Sequence, residues 1–196
     1  MEQYKTEFQD MVSDNNLMNS YKLFLLKTII NNSSFEKNEF EFYELACWMC
    51  AFSFPVVCKL GKRIRHFDRL YDNALLIIDE EGILMSSNTY NVFKAAYNSN
   101  SSRLRRSVSS LMDYVPYRLL AYKWYEELLG KNDKQKNNTI TELSIADKDS
   151  FYRIIIDEND KKRIVIGDDW LMYIKKNRTE LLQWIDERIV SFVNKG

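Results

Sequence analysis

The spacing of apolar residues changes near residue 150, and this change limits the folds open to the chain. Before it, apolar residues recur every three or four positions, as on the buried faces of amphipathic helices. After it, "SFYRIIID" and "KRIVIG" are β-branched runs separated by the charged "ENDKK", a pattern typical of a β-hairpin. An amphipathic helix is expected over 168–193. We therefore predict a mainly α fold: a helical domain with one late β-hairpin and a C-terminal amphipathic helix.

Glycine and proline are scarce, which favours the same fold class. Five glycines and two prolines in 196 residues are too few for the many tight turns of an all-β sandwich. The polar stretch "KNDKQKNNT", 131–139, is predicted to be a surface loop or a weak domain boundary. It would separate a helical domain, 1–130, from the hairpin and the last helix, 140–196, which we expect to pack on the first domain.

The first two helices have recognisable ends. Residues 1–14 are predicted to form a helix, which Asn15 and Asn16 would break. Asn19 or Ser20 is expected to cap the second helix by accepting a hydrogen bond from a free backbone N–H. The stretch that follows, "YKLFLLKTII", is apolar over a wide face, which predicts burial on more than one side.

No segment has the pattern of a signal peptide or a membrane span. A third helix is expected from about Glu39 to Phe54, where Pro55 would stop or kink it. Its apolar run holds a proline and is shorter than the roughly 20 residues that cross a bilayer. The three cysteines, an odd number, fit reduced thiols. We therefore predict a cytoplasmic protein.

Four potential zinc ligands lie close together in the sequence: Cys47, Cys50, Cys58 and His66. Their spacing does not suit the closure of a short zinc loop, and the cysteines occupy the most apolar stretch of the chain. Buried free cysteines behave as small hydrophobic residues. We therefore predict no metal and no cofactor.

The residues expected of an enzyme active site are also missing. His66 is the only histidine, and its basic neighbours favour an exposed position. The five glycines form no phosphate-binding loop. Asp157 and Glu158 beside Lys161 and Lys162 could be read as a Mg²⁺-dependent nuclease site, but a charged hairpin tip is usually a solvated turn. The prediction is a protein that is not an enzyme.

Positive charge is concentrated in the middle of the chain. Residues 59–123 hold eleven basic and six acidic side chains, although the whole chain has no net charge. We predict weak, sequence-independent contacts with the phosphates of double-stranded DNA. The residues proposed for this role are Lys62, Arg63, Arg65, Arg69, Arg103, Arg105 and Arg106. Alternatively, this segment is a solvated face or pairs with the acidic side chains of Glu39, Glu41 and Glu44.

The last helix is a candidate surface for a protein partner. Trp170 and Trp184 lie fourteen residues apart, nearly four helical turns, and so return to about the same face. Such tryptophans are usually part of a core, but a hairpin and one helix are too small to bury both alone. We therefore predict a partner surface that contains Trp170, Trp184, Ile185 and Ile189.

Several short stretches, in order along the chain, resemble a known group of proteins. They are "NSYK" at 19–22, Trp48, "VPYRLL" at 115–120, the hairpin over 153–166, and the late helix with Trp170, Asn177 and Trp184. Together they resemble the N-terminal, non-catalytic region of bacterial HNH-type endonuclease proteins. We expect Tyr21, Trp48 and "VPYR" to be structural, with Arg118 paired to a carboxylate or a carbonyl.

This resemblance implies a function in bacterial defence. The HNH motif of those proteins lies downstream of their last helix, and the present chain ends at Gly196 with one histidine. The resemblance therefore implies a non-enzymatic accessory subunit of an anti-phage defence or restriction system, which bridges DNA and a nuclease or ATPase partner from the same operon. The alternative is the N-terminal DNA- or partner-binding domain of an HNH endonuclease whose catalytic part is missing here.

Overall fold

The computed structural model describes residues 2–13 and 17–195 and confirms the mainly α class. The helices are α1 (Glu2–Met11), α2 (Tyr21–Asn32), α3 (Phe42–Leu60), α4 (Leu70–Glu81), α5 (Thr89–Asn98), α6 (Ser102–Ser109), α7 (Val115–Leu120), α8 (Tyr125–Leu128), α9 (Asp133–Ala146) and α10 (Asp168–Asn194). The strands are β1 (Glu39–Glu41), β2 (Tyr152–Ile156) and β3 (Lys162–Ile166). Short 3₁₀ turns at Ser110–Met112 and Ala121–Trp124 flank α7.

Helix α1 forms at the N-terminus as predicted and ends at Met11. The predicted break at Asn15 and Asn16 lies outside the described residues. The apolar face of α1 packs on the C-terminal helix, where the ring of Tyr4 meets Trp170 edge-on at 4.8 Å.

Helix α3 starts later than expected, and of the two effects predicted for Pro55, a stop or a kink, the stop is wrong. Glu39–Glu41 form a strand instead of the first helical turn, and the helix continues past Pro55 to Leu60. Pro55 lies on the exposed side, while the opposite face is buried against α2, α4, α5 and α6. This packing offsets the roughly 3 kcal/mol that an interior proline costs. Gly61, in the left-handed region at φ 64°, ends the helix.

Because α3 is uninterrupted, it is long and apolar enough, by length and composition, to cross a membrane. The prediction from sequence counted only the shorter apolar run that contains Pro55. Half of the apolar stretch of α3 is buried within the fold. The central helix of a packed domain is buried in the same way.

Helix α9 corrects the prediction of a loop at 131–139. Asn132 accepts a hydrogen bond from the backbone N–H of Gln135, and the Gln135 side chain accepts one from the backbone N–H of Asn132. This capping box starts the helix, and Ile140 anchors it in the core. Residues 131–139 are polar because only one edge of this helix is buried. Composition alone does not distinguish such a helix from a loop.

The predicted hairpin forms, and it gains a third strand. β2 and β3 pair antiparallel with Ile154 opposite Ile164, and β1 adds to the other edge of β3 with Phe40 opposite Ile164. At the tip, the Asp157 carboxylate accepts hydrogen bonds from the backbone N–H groups of Asn159 and Lys161. The bond from Lys161 is the main cause that lowers the pKa of Asp157. The tip is therefore a solvated turn stabilised by its own backbone.

Helix α10 forms over the predicted range but does not present the predicted partner surface. Trp170, Ile185 and Ile189 are buried in the common core, and Trp184 is half-buried with its ring 5.5 Å from that of Phe8. The expectation of exposure assumed that the C-terminal segment has to bury its tryptophans alone. Instead, α1 and α2 cover this face of α10, so three of the four residues belong to the core and Trp184 packs beside it.

Candidate anion-binding site

A cavity of about 870 Å³ lies between the N-terminus of α2, helices α7 and α8, and helix α9. This volume is within the range of small-molecule sites. The residues that line it are Met18, Asn19, Tyr21, Lys22, Ser110, Leu111, Tyr114, Val115, Arg118, Ala121, Tyr122, Tyr125, Leu128, Leu129, Gly130 and Lys136. We call this cavity the cationic cleft, because Lys22, Arg118 and Lys136 are its charged members.

The "NSYK" stretch is fixed to the turn before α4. Ser20 donates its backbone N–H and its hydroxyl to the carboxylate of Asp68, which also accepts a bond from the backbone N–H of Leu70. Asp68 is fully buried, and this burial raises the pKa of its carboxyl. The predicted cap at Ser20 is therefore absent, because the serine hydroxyl is used on Asp68.

Tyr21 strengthens the same attachment. Its hydroxyl accepts a hydrogen bond from the backbone N–H of Arg69 (2.6 Å) and donates to the carbonyl of Phe67 (3.3 Å). Burial raises the pKa of Tyr21 to about 12. Asn19 caps the helix start, since its side-chain oxygen accepts from the backbone N–H of Tyr21 (3.2 Å). With its neighbours held in this way, Lys22 lies along the cleft.

Lys22 is the most unusual side chain of the cleft. It is half-buried, and no residue that the structure describes forms a hydrogen bond or an ion pair with its ammonium group. Burial, together with the smaller effect of the positive charge of Arg118, lowers the pKa of Lys22 to about 8. Lys22 also lies in the first turn of α2, where the helix dipole disfavours a cation. The fold therefore holds a positive charge at a costly position.

Helix α7 supplies Arg118. Pro116 starts this helix, and its carbonyl accepts a hydrogen bond from the buried hydroxyl of Tyr152 (2.6 Å). Arg118 is the half-buried residue of an otherwise buried "VPYRLL". Its guanidinium pairs with the carboxylate of Asp133, in the first turn of α9. A carboxylate was one of the two kinds of partner predicted for Arg118. Arg118 is thus both anchored and adjacent to the cavity.

Helix α9 supplies Lys136. The capping box at Asn132 and the hydrogen bond from the Asn137 amide to the Asp113 carbonyl (3.0 Å) fix the first turn of the helix. Lys136 is half-buried and, like Lys22, has no hydrogen-bond or ion-pair partner among the residues for which structure is given. The region predicted to be a surface loop or a weak domain boundary therefore provides one wall of the cleft.

The chemistry of the cleft favours binding of an anion. Among the described residues that line it, none is acidic and none is histidine. Lys22, Arg118 and Lys136 are donors suited to phosphate or carboxylate oxygens. The rings of Tyr114 and Tyr125 lie at the rim and are 51% and 68% exposed. The lining offers charge and hydrogen-bond donors but no described acid–base pair for catalysis.

The residues predicted to contact DNA partly converge but are mostly engaged within the protein. Arg69 and Arg103 line one shallow pocket, and Asp72 and Asp79 line it too. The internal contacts are Arg63 with Asp72 (2.7 Å), Arg65 with the Phe192 carbonyl (3.2 Å), Arg103 with Glu80 (3.5 Å), and Arg105 with the Ser99 carbonyl (3.3 Å). The side chains of Lys62, Arg69 and Arg106 are exposed and have no such partner among residues 2–13 and 17–195.

Two of the three acids expected to cover this patch pair elsewhere. Glu39 forms an ion pair with Arg163 across the sheet, and Glu44 pairs with Lys37. The alternative that the N-terminal acids neutralise the patch is therefore corrected, because Asp72 and Glu80 of α4 supply the charge instead.

The cysteines and the histidine do not form a cluster. Cys47 and Cys50 are buried in α3, and this burial raises the pKa of Cys47 to about 12 and that of Cys50 as well. His66 is exposed, with its ring against Phe67. Within the described part of the chain, no group of three or more His, Cys, Asp or Glu residues is placed to hold a metal ion.

Sequence reasoning did not find Lys22 or Lys136 and treated Arg118 as purely structural. One signal was available. A lysine in the first turn of a helix opposes the helix dipole, and Lys22 lies inside "NSYK", the same stretch that suggested the family resemblance. Lys136 gave no signal, because its helix was predicted to be a loop.

Comparisons of the chain with family models, with curated proteins and with solved structures find no match.

Proposed function

We propose that the protein is a non-enzymatic binding subunit that holds an anionic ligand in the cationic cleft. The supporting observation is that Lys22, Arg118 and Lys136 line one cavity without an acidic residue among its described lining. Partly buried positive charge is unfavourable until an anion compensates it. A fold that keeps such a charge at Lys22 is better explained by a ligand than by stability.

The setting we propose comes from the resemblance to HNH-type proteins. Two of the stretches that suggest it contribute to the cleft, since 19–22 supplies Lys22 and 115–120 supplies Arg118. By analogy with the proteins that contain such a region, the protein acts in a bacterial anti-phage defence or restriction system, in the cytoplasm, and links a nuclease or ATPase partner to its ligand. The alternative, a binding domain of an HNH endonuclease, requires the same cleft.

Contact with double-stranded DNA is a secondary part of this proposal. Lys62, Arg69 and Arg106 are exposed and form no side-chain hydrogen bond or ion pair with described residues. Three such cations support only weak, salt-sensitive binding, because each neutralised phosphate adds about 0.9 to the slope of log affinity against log salt.

Titration calorimetry with inorganic pyrophosphate tests the anion site. We expect Lys22→Gln and Lys136→Gln each to weaken binding by about tenfold or more, since a hydrogen bond to a charged group contributes roughly 1.5–3 kcal/mol. Lys134→Gln is the matched control. Lys134 lies on α9, the helix of Lys136, but it is exposed and outside the cleft. Equal affinities for all four proteins, or no binding by the wild type, would contradict the proposal.

A further inference from the structure

We infer that the ligand of the cationic cleft is a nucleoside phosphate, with its phosphate on Lys22, Arg118 and Lys136 and its base against the tyrosines of the rim. This inference rests on the proposed function, because it specifies the anion that the cleft binds.

The cations of the cleft suit a phosphoryl group. Lys22 and Lys136 have no partner among the described residues, and Arg118 uses its charge on the one carboxylate of Asp133. Asn19 also lines this part of the cavity. A phosphate presents three oxygens to donors that arrive from different directions. A single carboxylate has two oxygens in one plane and satisfies fewer donors on separate helices.

The rim suits a base. Tyr114 and Tyr125 are exposed aromatic rings on the same cavity as the cations. Exposed tyrosines next to cationic side chains form the usual platform for nucleobases, which stack on any aromatic face regardless of sequence. Met18 and Leu129, also exposed on this cavity, add apolar surface beside the rings. A simple inorganic anion leaves this part of the cavity unused.

The volume of the cleft and the partial burial of Lys22 argue against an intact double helix as the ligand. Lys22 is half-buried in a cavity of about 870 Å³, a volume that suits a small molecule. The phosphates of a duplex lie on the outside of a rigid rod and cannot enter such a cavity together with their bases. The nucleoside phosphate therefore comes from one of two sources: a free nucleotide or the 5′-terminal nucleotide of a single strand.

The inference is tested by titrating the protein with each of the four nucleoside 5′-diphosphates and with pyrophosphate, and by comparing the affinities. The same phosphate group is present in both kinds of ligand, so any difference reports the nucleoside. We expect at least one nucleotide to bind at least tenfold more tightly than pyrophosphate. Tyr125→Ala should remove this difference and leave pyrophosphate binding unchanged. Tyr90→Ala is the control, because Tyr90 is an exposed tyrosine of α5 outside the cleft.

Two further arms identify the source of the nucleotide. A single-stranded oligonucleotide with a 5′-phosphate should match the nucleoside 5′-monophosphate of its terminal base if the cleft takes a strand end, and should bind at least tenfold more weakly than that monophosphate if it takes a free nucleotide. A blunt 5′-phosphorylated duplex should bind at least tenfold more weakly than the better of these two.

The failures of the two proposals are distinguishable. If pyrophosphate binds through Lys22 but all four nucleotides bind no more tightly, the nucleoside is rejected and the anion site stands. If a glutamate-rich peptide competes at Lys22 and binds more tightly than every nucleotide, the ligand is a protein segment and the inference is overturned. If neither pyrophosphate nor nucleotides bind, both proposals fail.

Discussion

Ser20 donates both its backbone N–H and its hydroxyl to the carboxylate of Asp68, which is fully buried. This relationship joins the start of α2 to the turn before α4 and so fixes the direction of the next residues. Tyr21 reinforces it through Phe67 and Arg69. The position of Lys22 in the cleft therefore depends on a hydrogen-bond network that does not include Lys22.

Asp68→Asn should destabilise the protein by about 1–3 kcal/mol, because the amide nitrogen cannot accept the bonds from Ser20 and leaves buried donors unpaired. Chemical denaturation measures this change. Asp72→Asn is the control: Asp72 is more exposed and forms a surface ion pair with Arg63, so its loss should cost about 0–1 kcal/mol. Equal destabilisation by the two substitutions would show that the buried network has no special role.

Lys22→Gln should stabilise the protein at pH 7. The pKa of Lys22 is about 8 in the folded state and ordinarily 10.5, so the unfolded chain binds more protons between these values. The stability of the wild type is therefore reduced below pH 8 and recovers as the pH rises toward 10.5. The difference between the two pKa values sets an upper bound of about 3 kcal/mol.

Thermal unfolding at pH 7 and pH 9.5 checks this prediction. The melting temperature of Lys22→Gln should exceed that of the wild type at pH 7, and the gap should narrow at pH 9.5. Lys134→Gln should show no comparable gap at either pH. A Lys22→Gln protein that is less stable than the wild type at pH 7 would mean that the Lys22 charge is compensated within the fold.

Asp133→Asn should strengthen pyrophosphate binding by a factor of a few. Asp133 pairs with Arg118 and so competes with the ligand for that guanidinium. The change in stability should be small, about 0–1 kcal/mol, because Asp133 is largely exposed. Asp186→Asn, which removes the ion pair with Lys27 away from the cleft, should leave pyrophosphate affinity unchanged. Weaker binding by Asp133→Asn would indicate that the ion pair holds Arg118 in its binding position.

Ile185→Ala should cost about 2–5 kcal/mol of stability, as expected for a fully buried residue. Val190→Ala on the same helix should be nearly neutral, since Val190 is 59% exposed. Urea denaturation of both variants separates a core role of α10 from a role in partner binding. A fully stable Ile185→Ala protein would restore this face as a candidate partner surface.

The elements that sequence reasoning predicted correctly are those with strong local signals. The pairing of β2 with β3 and the extent of α10 follow from the period of the apolar residues and the charged turn between the strands. Pro55 misled the prediction because tertiary packing on the opposite face outweighs the local cost. The capping box of α9 was present in the sequence, but the polar composition around it hid the helix.

The cleft could not be predicted for a different reason. Lys22, Arg118 and Lys136 lie on three different helices, with Lys22 far from the other two in the chain, and the packing of those helices brings them to one cavity. The charge count along the sequence favoured the arginine-rich segments instead. Most of those arginines turn out to contact carbonyls and carboxylates of the protein itself.

The most direct test of the anion site is the pKa of the Lys22 ammonium group, followed by NMR of ¹³Cε-labelled lysines with and without pyrophosphate. The free protein should show one lysine with a pKa of about 8, which is absent in Lys22→Gln. Saturation with pyrophosphate should raise this pKa toward 10.5, because a bound anion favours the charged form. A Lys22 pKa that does not change at saturation, while surface lysines such as Lys134 respond, would contradict the account.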